Sequence, residues 1–421
     1  MHRFVAALLA AASCAGIAQA QTSPPPAGAQ DVLTLDEALA EAGLSSPSNE
    51  AAAAGVRASE SARTVAGLRP NPSVSAQSEN VVGTGPYRGF GQAETTVTFS
   101  MPVELGGKRG ARVGVADARI DRAQLDAAIT LADVRLKVTR AYIEAVAAER
   151  RLGIARDQLK IADEALRVAK DRVMVGESSP IDEQRTSVNQ INAQTDLERA
   201  ERAYQVARSN LALLTGRAVN TPLDQAWFER TGVYGPASEP RAEGTLAFAA
   251  ARADLRIADA NVRLARSQRA PDLTVSAGAR RLSATGDTAA VLGVSVPLPF
   301  FNNGRALISQ ARAERDQADA RQRAAKLDAE QDIANARRDR DNAEASVRAS
   351  GPALAAATEA ARIARLGYGR GKFDQLVLLE AERTLAETRN AAVDALAQYH
   401  DAEARLARLI APAPVVSGDN R

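Results

Sequence analysis

Side chains able to attack a substrate, hold a soft metal or relay protons are scarce in this chain. Its 421 residues contain one cysteine, Cys14, and two histidines, His2 and His400. Cys14 and His2 fall in an N-terminal stretch with the pattern of a secretory signal, which leaves His400 as the one imidazole of the mature chain. One imidazole cannot build a metal site, and without cysteines there are no disulfides and no thiolate cages. Leu105-Gly106-Gly107-Lys108-Arg109 has the flavour of a phosphate loop, but the spacing before Lys108 is wrong and no Ser or Thr follows it. The two glycines suit a sharp change of backbone direction between a strand and a helix. There is no nucleophile elbow. The 51 carboxylates face 53 Lys and Arg and fit solvated helix faces better than an acid–base pair. The expectation is therefore a protein that is not an enzyme and needs no cofactor.

The elements around these residues explain the shortage. Aromatics make up 4% of the chain, charged residues 25% and apolar residues 45%, a profile of long helices packed through small side chains. A formal charge of +2 provides no broad basic surface overall, so nucleic acid is not an expected partner. Arg3, the apolar run Phe4–Ile17 and Ala18-Gln19-Ala20 predict a signal peptide over 1–20, with a flexible Pro-rich leader over 21–32. Ala11-Ala12-Ser13 before Cys14 lacks the leucine usual in a lipidation signal. No later apolar run reaches 18 residues, so no membrane-spanning helix is expected.

The chain repeats itself. Gly176 matches Gly371 and Pro102 matches Pro297, an offset of 195 residues in both cases, and Tyr204 matches Tyr399. The first repeat is expected over 33–216, an inter-repeat linker over 217–243, the second repeat over 244–411 and a loose tail over 412–421. Long helical hairpins are predicted over 109–215 and 304–410. Apolar residues follow a 4-3 spacing in the first, as in Val134, Val138, Ala141, Ala145, Ala148 and Leu152, which is a coiled-coil seam. Arg340 and Ser350 interrupt the corresponding seam of the second, and Gly351-Pro352 predicts a kink.

Four period-2 strands are predicted at about 73–82, 93–103, 273–282 and 291–300. Val97, Phe99 and Met101 alternate with Thr96, Thr98 and Ser100, and Leu292, Val294 and Val296 alternate with Gly293 and Ser295. Strands of about ten residues match the length of tilted outer-membrane strands. Four strands cannot close on themselves, and open edges are not tolerated in lipid. Strands that span a membrane here require at least two chains.

Together these features resemble the TolC-type outer membrane efflux family across roughly Leu33 to Ala411. Leu68-Arg69-Pro70-Asn71-Pro72, Pro102-Val103-Glu104-Leu105-Gly106-Gly107-Lys108-Arg109 and Val294-Ser295-Val296-Pro297-Leu298-Pro299-Phe300-Phe301-Asn302 resemble its cobalt–zinc–cadmium, or heavy-metal, branch. The resemblance implies a mainly α fold with a small β part: duplicated helical hairpins forming a periplasmic tunnel, and four strands per chain contributing to a trimeric, 12-stranded outer-membrane barrel. It implies an equatorial belt from Leu33–Ala42 and Thr215–Arg252, including Trp227. It further implies a homotrimer in outer membrane lipid. Its partners would be a periplasmic adaptor protein and an inner-membrane efflux pump of the resistance-nodulation-division type.

Residue roles follow from the same resemblance. Val175, Gly176, Glu177, Ser178 and Ser179, with Gly371 and Lys372, would form the tip that docks the adaptor. Asp182 and Tyr368 match the hydrogen-bonded pair that holds the family's gate closed, whereas the positions of a second, arginine-based link are Phe373 and Ile181 here. On that basis Tyr368→Phe should raise pore conductance. Two acidic aperture positions fall on Val377 and Glu380, so three copies of Glu380 would make one negative ring favouring cations. Pro102, Gly106, Gly107 and Pro297 mark the strand–helix junctions. The function expected is passive export of heavy-metal cations. The alternatives are a duct for drugs or other compounds, and, in another class, a periplasmic coiled-coil adaptor or structural protein without a pore.

Overall fold

The computed structural model describes residues 32–232 and 240–414. The predicted signal, Cys14 and almost all of the leader lie outside the described residues, as does most of the tail.

Eight helices and four strands are present among the described residues. They run α1 (Leu35–Ser45), α2 (Pro47–Ala66), β1 (Ser73–Glu79), β2 (Glu94–Val103), α3 (Lys108–Met174), α4 (Pro180–Thr215), α5 (Gln225–Glu229), α6 (Leu246–Ser267), β3 (Leu273–Leu282), β4 (Thr288–Ser295), α7 (Arg305–Gly369) and α8 (Gln375–Leu409). The 67 residues of α3 rise about 100 Å at 1.5 Å per residue. Helix α7, with 65 residues, is nearly as long. Each long helix turns back into a shorter partner, giving the hairpins α3–α4 and α7–α8. Helix α7 runs unbroken through Gly351–Pro352, the pair at which the sequence predicts a kink, with Pro352 inside it. Ala357 and Ala361 pack on Leu385 below that point, and Ala343 packs on Tyr399 and Ala402 above it.

Ion pairs set the antiparallel register of α3 against α8. Arg408–Asp133 at 2.7 Å, Arg140–Asp401 at 2.6 Å, Arg151–Asp394 at 2.7 Å and Arg389–Asp157 at 3.5 Å descend the pair in order. Each is partly exposed and worth little alone, but a wrong register would break all four. Arg340, an interruption of the seam by sequence, approaches Glu403 at 3.8 Å, and burial raises the Glu403 carboxyl above its usual range.

The strands form one antiparallel sheet in the order β1-β2-β3-β4. Val97 pairs with Ala76 and Ala279, and Phe99 with Val74 and Ala277. One face therefore carries Val74, Val97, Phe99, Met101, Val275, Leu292 and Val294, all strongly exposed. The opposite face carries Glu94, Thr96, Thr98, Ser100, Ser276 and Arg280. Two strands differ from their predicted bounds. β1 stops at Glu79, ahead of the left-handed Asn80, and β4 covers Thr288–Ser295 instead of 291–300. Pro297 and Pro299 have no N–H to give, so the ladder cannot continue past them.

A buried cluster midway along α3 joins α1 and α5 to it. Leu33, Ala38, Ala42, Leu223 and Phe228 pack on Val138, Tyr142, Ile143 and Val146. The Tyr142 hydroxyl donates to the Leu33 carbonyl at 2.7 Å and accepts the Asp224 N–H at 3.0 Å. Burial pushes the Tyr142 phenol up to about 12.

Candidate functional site

The two hairpin turns sit at the same end of the molecule and are built alike. In the first, Glu177 N–H donates to the Arg172 carbonyl at 2.9 Å and Gly176 N–H to Val173 at 3.1 Å. In the second, Lys372 N–H donates to Gly367 at 2.8 Å and Gly371 N–H to Tyr368 at 3.0 Å. Gly176 (φ 78°) and Gly371 (φ 69°) occupy the left-handed position that ends each long helix. Val175, Gly176, Glu177 and Ser179 are exposed, as are Gly371 and Lys372; Ser178 is half-buried. Gly367 is needed for a different reason, because a Cβ there would fall 2.1 Å from the Phe373 ring.

The returning helices start with side-chain caps. Ser179 and Asp182 form a capping box: Ser179 N–H donates to Asp182 Oδ2 at 3.3 Å, and Ile181 N–H donates to Ser179 Oγ at 3.4 Å. Asp374 accepts the Val377 N–H at 3.0 Å. The carboxylate of Asp182 thus serves its own helix, and no hydrogen bond joins it to the Tyr368 hydroxyl within the chain. The Tyr368 ring, 8% exposed, lies instead under the Arg172 guanidinium at 4.3 Å, and Arg172 Nη2 donates to the Tyr368 carbonyl at 3.0 Å.

A second link joins the hairpins nearby. Gln375 Nε2 donates to Thr186 Oγ1 and to the Asp182 carbonyl at 3.4 Å, while Thr186, fully buried, donates to that same carbonyl at 2.6 Å. Two cross-hairpin contacts therefore meet at this end: Arg172 of α3 with Tyr368 of α7, and Thr186 of α4 with Gln375 of α8. Sequence reasoning missed Arg172, Thr186 and Gln375. Two turns further along α8, Glu382 is 4% exposed and receives a two-pronged ion pair from Arg365, with Nη2–Oε2 at 2.7 Å. Glu380 is exposed, and Val377 beside it is exposed as well.

The strand–helix junction contains more charge than its glycines suggested. Gly106 (φ 72°) and Gly107 (φ 73°) make the turn into α3, and a Cβ on Gly106 would meet the Ala270 Cβ at 2.5 Å. Lys108 Nζ lies 2.7 Å from Asp272 Oδ1, which also accepts the Leu105 N–H at 3.2 Å. Arg112 grips Glu104 through Nη1 and Nη2. The hydrogen bond from Arg112 holds the Glu104 carboxyl below its usual range, and Lys108 does the same for Asp272. Pro102 lies in β2 opposite Thr274, and Pro297 lies just past β4.

His400 is a buried packing residue. Its ring stacks on Trp227 at 4.3 Å between centroids, and Nε2 bonds the Phe228 carbonyl at 2.8 Å. Burial lowers its pKa. Among the described residues no three His, Cys, Asp or Glu side chains converge to hold a metal ion, and no helix is long and apolar enough to cross a membrane.

Paired hairpins about 100 Å long, carrying a four-stranded sheet with one apolar face, define an outer-membrane channel architecture. The family model for the outer membrane efflux protein matches residues 28–217 and 242–411. The chain is 30% identical over 389 residues to the cobalt-zinc-cadmium resistance protein CzcC of Cupriavidus metallidurans, covering 91% of each chain. It is 28% identical over 339 residues to the nickel-cobalt-cadmium resistance protein NccC of Alcaligenes xylosoxydans xylosoxydans, covering 76% of this chain and 73% of that one. The fold matches the outer membrane protein VceC of Vibrio cholerae with a TM-score of 0.72 at 20% identity, covering 90% and 96% of the two chains. The chain belongs to the outer membrane efflux protein family. It is an outer-membrane protein whose paired helices extend far into the periplasm.

Proposed function

We propose that three copies of this chain form the passive exit duct of a tripartite efflux system for heavy-metal cations. The observation that carries the duct is the open sheet. β1 and β4 each leave one edge unpaired, while Val97, Phe99, Met101 and Leu292 form an outward apolar face. Such a sheet is stable in lipid only when edges join between chains, and three chains close twelve strands. The long hairpins then continue the barrel as a tunnel. A periplasmic adaptor docks on the exposed turns around Gly176 and Gly371 and delivers cargo from an inner-membrane pump. The duct itself performs no catalysis.

The cation cargo is supported by relatives named for resistance to cobalt, zinc, cadmium and nickel. Glu380, an exposed carboxylate near the turn end of α8, is a weak and solvated ligand for such an ion. Weak sites let an ion leave as easily as it enters. In the gate, the links Arg172–Tyr368 and Gln375–Thr186 hold the two hairpins of each chain together at the periplasmic end. Glu380 contributes a ring of three carboxylates. Membrane fractionation combined with the mass of the detergent-extracted species tests the duct. A trimer in the outer-membrane fraction is expected; a monomer in the periplasmic fraction would favour the coiled-coil adaptor instead.

A further inference from the structure

The charge of this chain is unevenly distributed about the sheet. Ten-residue windows on the helical side of each strand cover 63–72, 104–113, 263–272 and 296–305. They hold two, three, three and one basic residues, against the acidic residues Glu104 and Asp272 alone, a net of +7. The whole chain carries +2, so everything else sums to −5. The loops at the opposite end of the sheet, 80–93 and 283–287, hold one cation, Arg88, and one anion, Asp287.

Internal pairing uses only part of this excess. Lys108 is taken by Asp272, Arg112 by Glu104 and Arg63 by Asp117, and Arg109 donates to the Gly67 carbonyl at 2.5 Å. Arg69, Arg263, Arg266, Arg269 and Arg305 are exposed, and none has an ion-pair partner among the described residues. They come from three separate stretches of chain that meet around the start of α3: Arg109 and Arg112 bond the Gly67 and Leu68 carbonyls beside Arg69, Arg263 and Arg266 line one hollow with Gly106 and Gly107, and Arg269 lies against Gly304, next to Arg305. Like charges gathered from separate segments repel, and such a cluster needs an external anion to offset that repulsion.

We infer that these five arginines form a basic collar that binds the anionic phosphate headgroups of phospholipids in the periplasmic leaflet of the outer membrane. The inference rests on the membrane-spanning reading of the sheet, which brings the collar to the level of those headgroups. A guanidinium is suited to this partner because its planar donors match phosphate oxygens two at a time. The collar fixes how deep the barrel sits and keeps the tunnel upright beneath it.

The test uses the full-length mature trimer reconstituted in vesicles of phosphatidylcholine, with and without phosphatidylglycerol, followed by native mass spectrometry of retained lipid. Two arginines per headgroup give a preference for phosphatidylglycerol on the order of tenfold, weakened by added salt. The variant with Arg69, Arg263, Arg266, Arg269 and Arg305 all changed to Gln should lose it. The double variant Arg263→Gln/Arg266→Gln should lose part of it, which covers the case in which five changes impair folding. Arg88→Gln, at the other end of the sheet, should retain all of it. Equal retention of both lipids by the inserted wild-type trimer would overturn the collar while leaving the duct intact. So would an unchanged preference in the variants accompanied by altered ion selectivity in a bilayer, since the arginines would then line the lumen. Failure of the wild-type chain to insert at all would instead count against the membrane reading.

Discussion

Replacing Gln375 by Ala removes the link between α8 and α4 and should bias the tunnel toward opening. The side chain makes two neutral hydrogen bonds, one to Thr186 Oγ1 and a longer one to the Asp182 carbonyl at 3.4 Å. A net hydrogen bond is worth about 1 kcal/mol, and the longer contact adds less. If three chains open as a unit, the closed state loses about 3 kcal/mol, which shifts the closed-to-open ratio by roughly two decades. Arg172→Ala should act more strongly. It removes a charged donor at 3.0 Å from the Tyr368 carbonyl, worth about 1.5–3 kcal/mol per chain, together with the contact over the ring. Tyr368→Phe should change little, because the hydroxyl makes no hydrogen bond among the described residues, whereas Tyr368→Ala should resemble Arg172→Ala. Single-channel conductance and open probability in planar bilayers measure each variant. Trimeric Gln375→Ala and Arg172→Ala channels indistinguishable from wild type would show that these links do not hold the tunnel closed.

Three further outcomes follow from other parts of the fold. His400 has a lowered pKa, so its stabilising contribution is complete above its ordinary value of 6.5 and is lost as pH falls from there toward the folded value; the melting temperature should drop over that window in wild type and much less in His400→Phe. Glu104 and Asp272 shift the other way, so their contribution is present above 4.5 and 3.8 and disappears as pH falls through the lower folded values. Asp272→Ala should cost about 1–2 kcal/mol in a thermal melt at neutral pH and flatten part of that acid limb. Arg365→Ala strands the buried Glu382 carboxylate and should cost about 1–3 kcal/mol, with Arg365→Ala/Glu382→Leu recovering much of it on the same melt.

Periodicity made most of the architecture legible. The 4-3 spacing through Val138, Ala145 and Leu152 fixes a helical seam, and the alternation at Val97, Phe99 and Met101 fixes a two-faced strand. Both patterns repeat along many residues, so single exceptions do not obscure them. Endpoints were harder. The apolar run through Val296, Leu298 and Phe300 continued the strand pattern, although Pro297 and Pro299 carried the signal that pairing had to stop. The proposed gate was the least legible part. Asp182 stands three residues after Ser179, a capping-box spacing that foretells its use by its own helix. The partnership of Gln375 with Thr186 spans 189 residues, and that of Arg172 with Tyr368 spans 196; nothing local marks either pair. The sequence set His400 aside as a metal ligand because it stands alone, but its role in packing shows only in the ring of Trp227 stacked against it.

Growth of a deletion strain shows whether the duct carries heavy-metal cations. The strain would be challenged with graded zinc, cobalt, cadmium, nickel, copper and silver, with an organic drug panel alongside. Selective sensitivity to one group of metals is expected, restored by the wild-type gene and not by a variant retained in the periplasm. Unchanged metal tolerance together with new drug sensitivity would contradict the cation cargo and assign the duct to organic compounds.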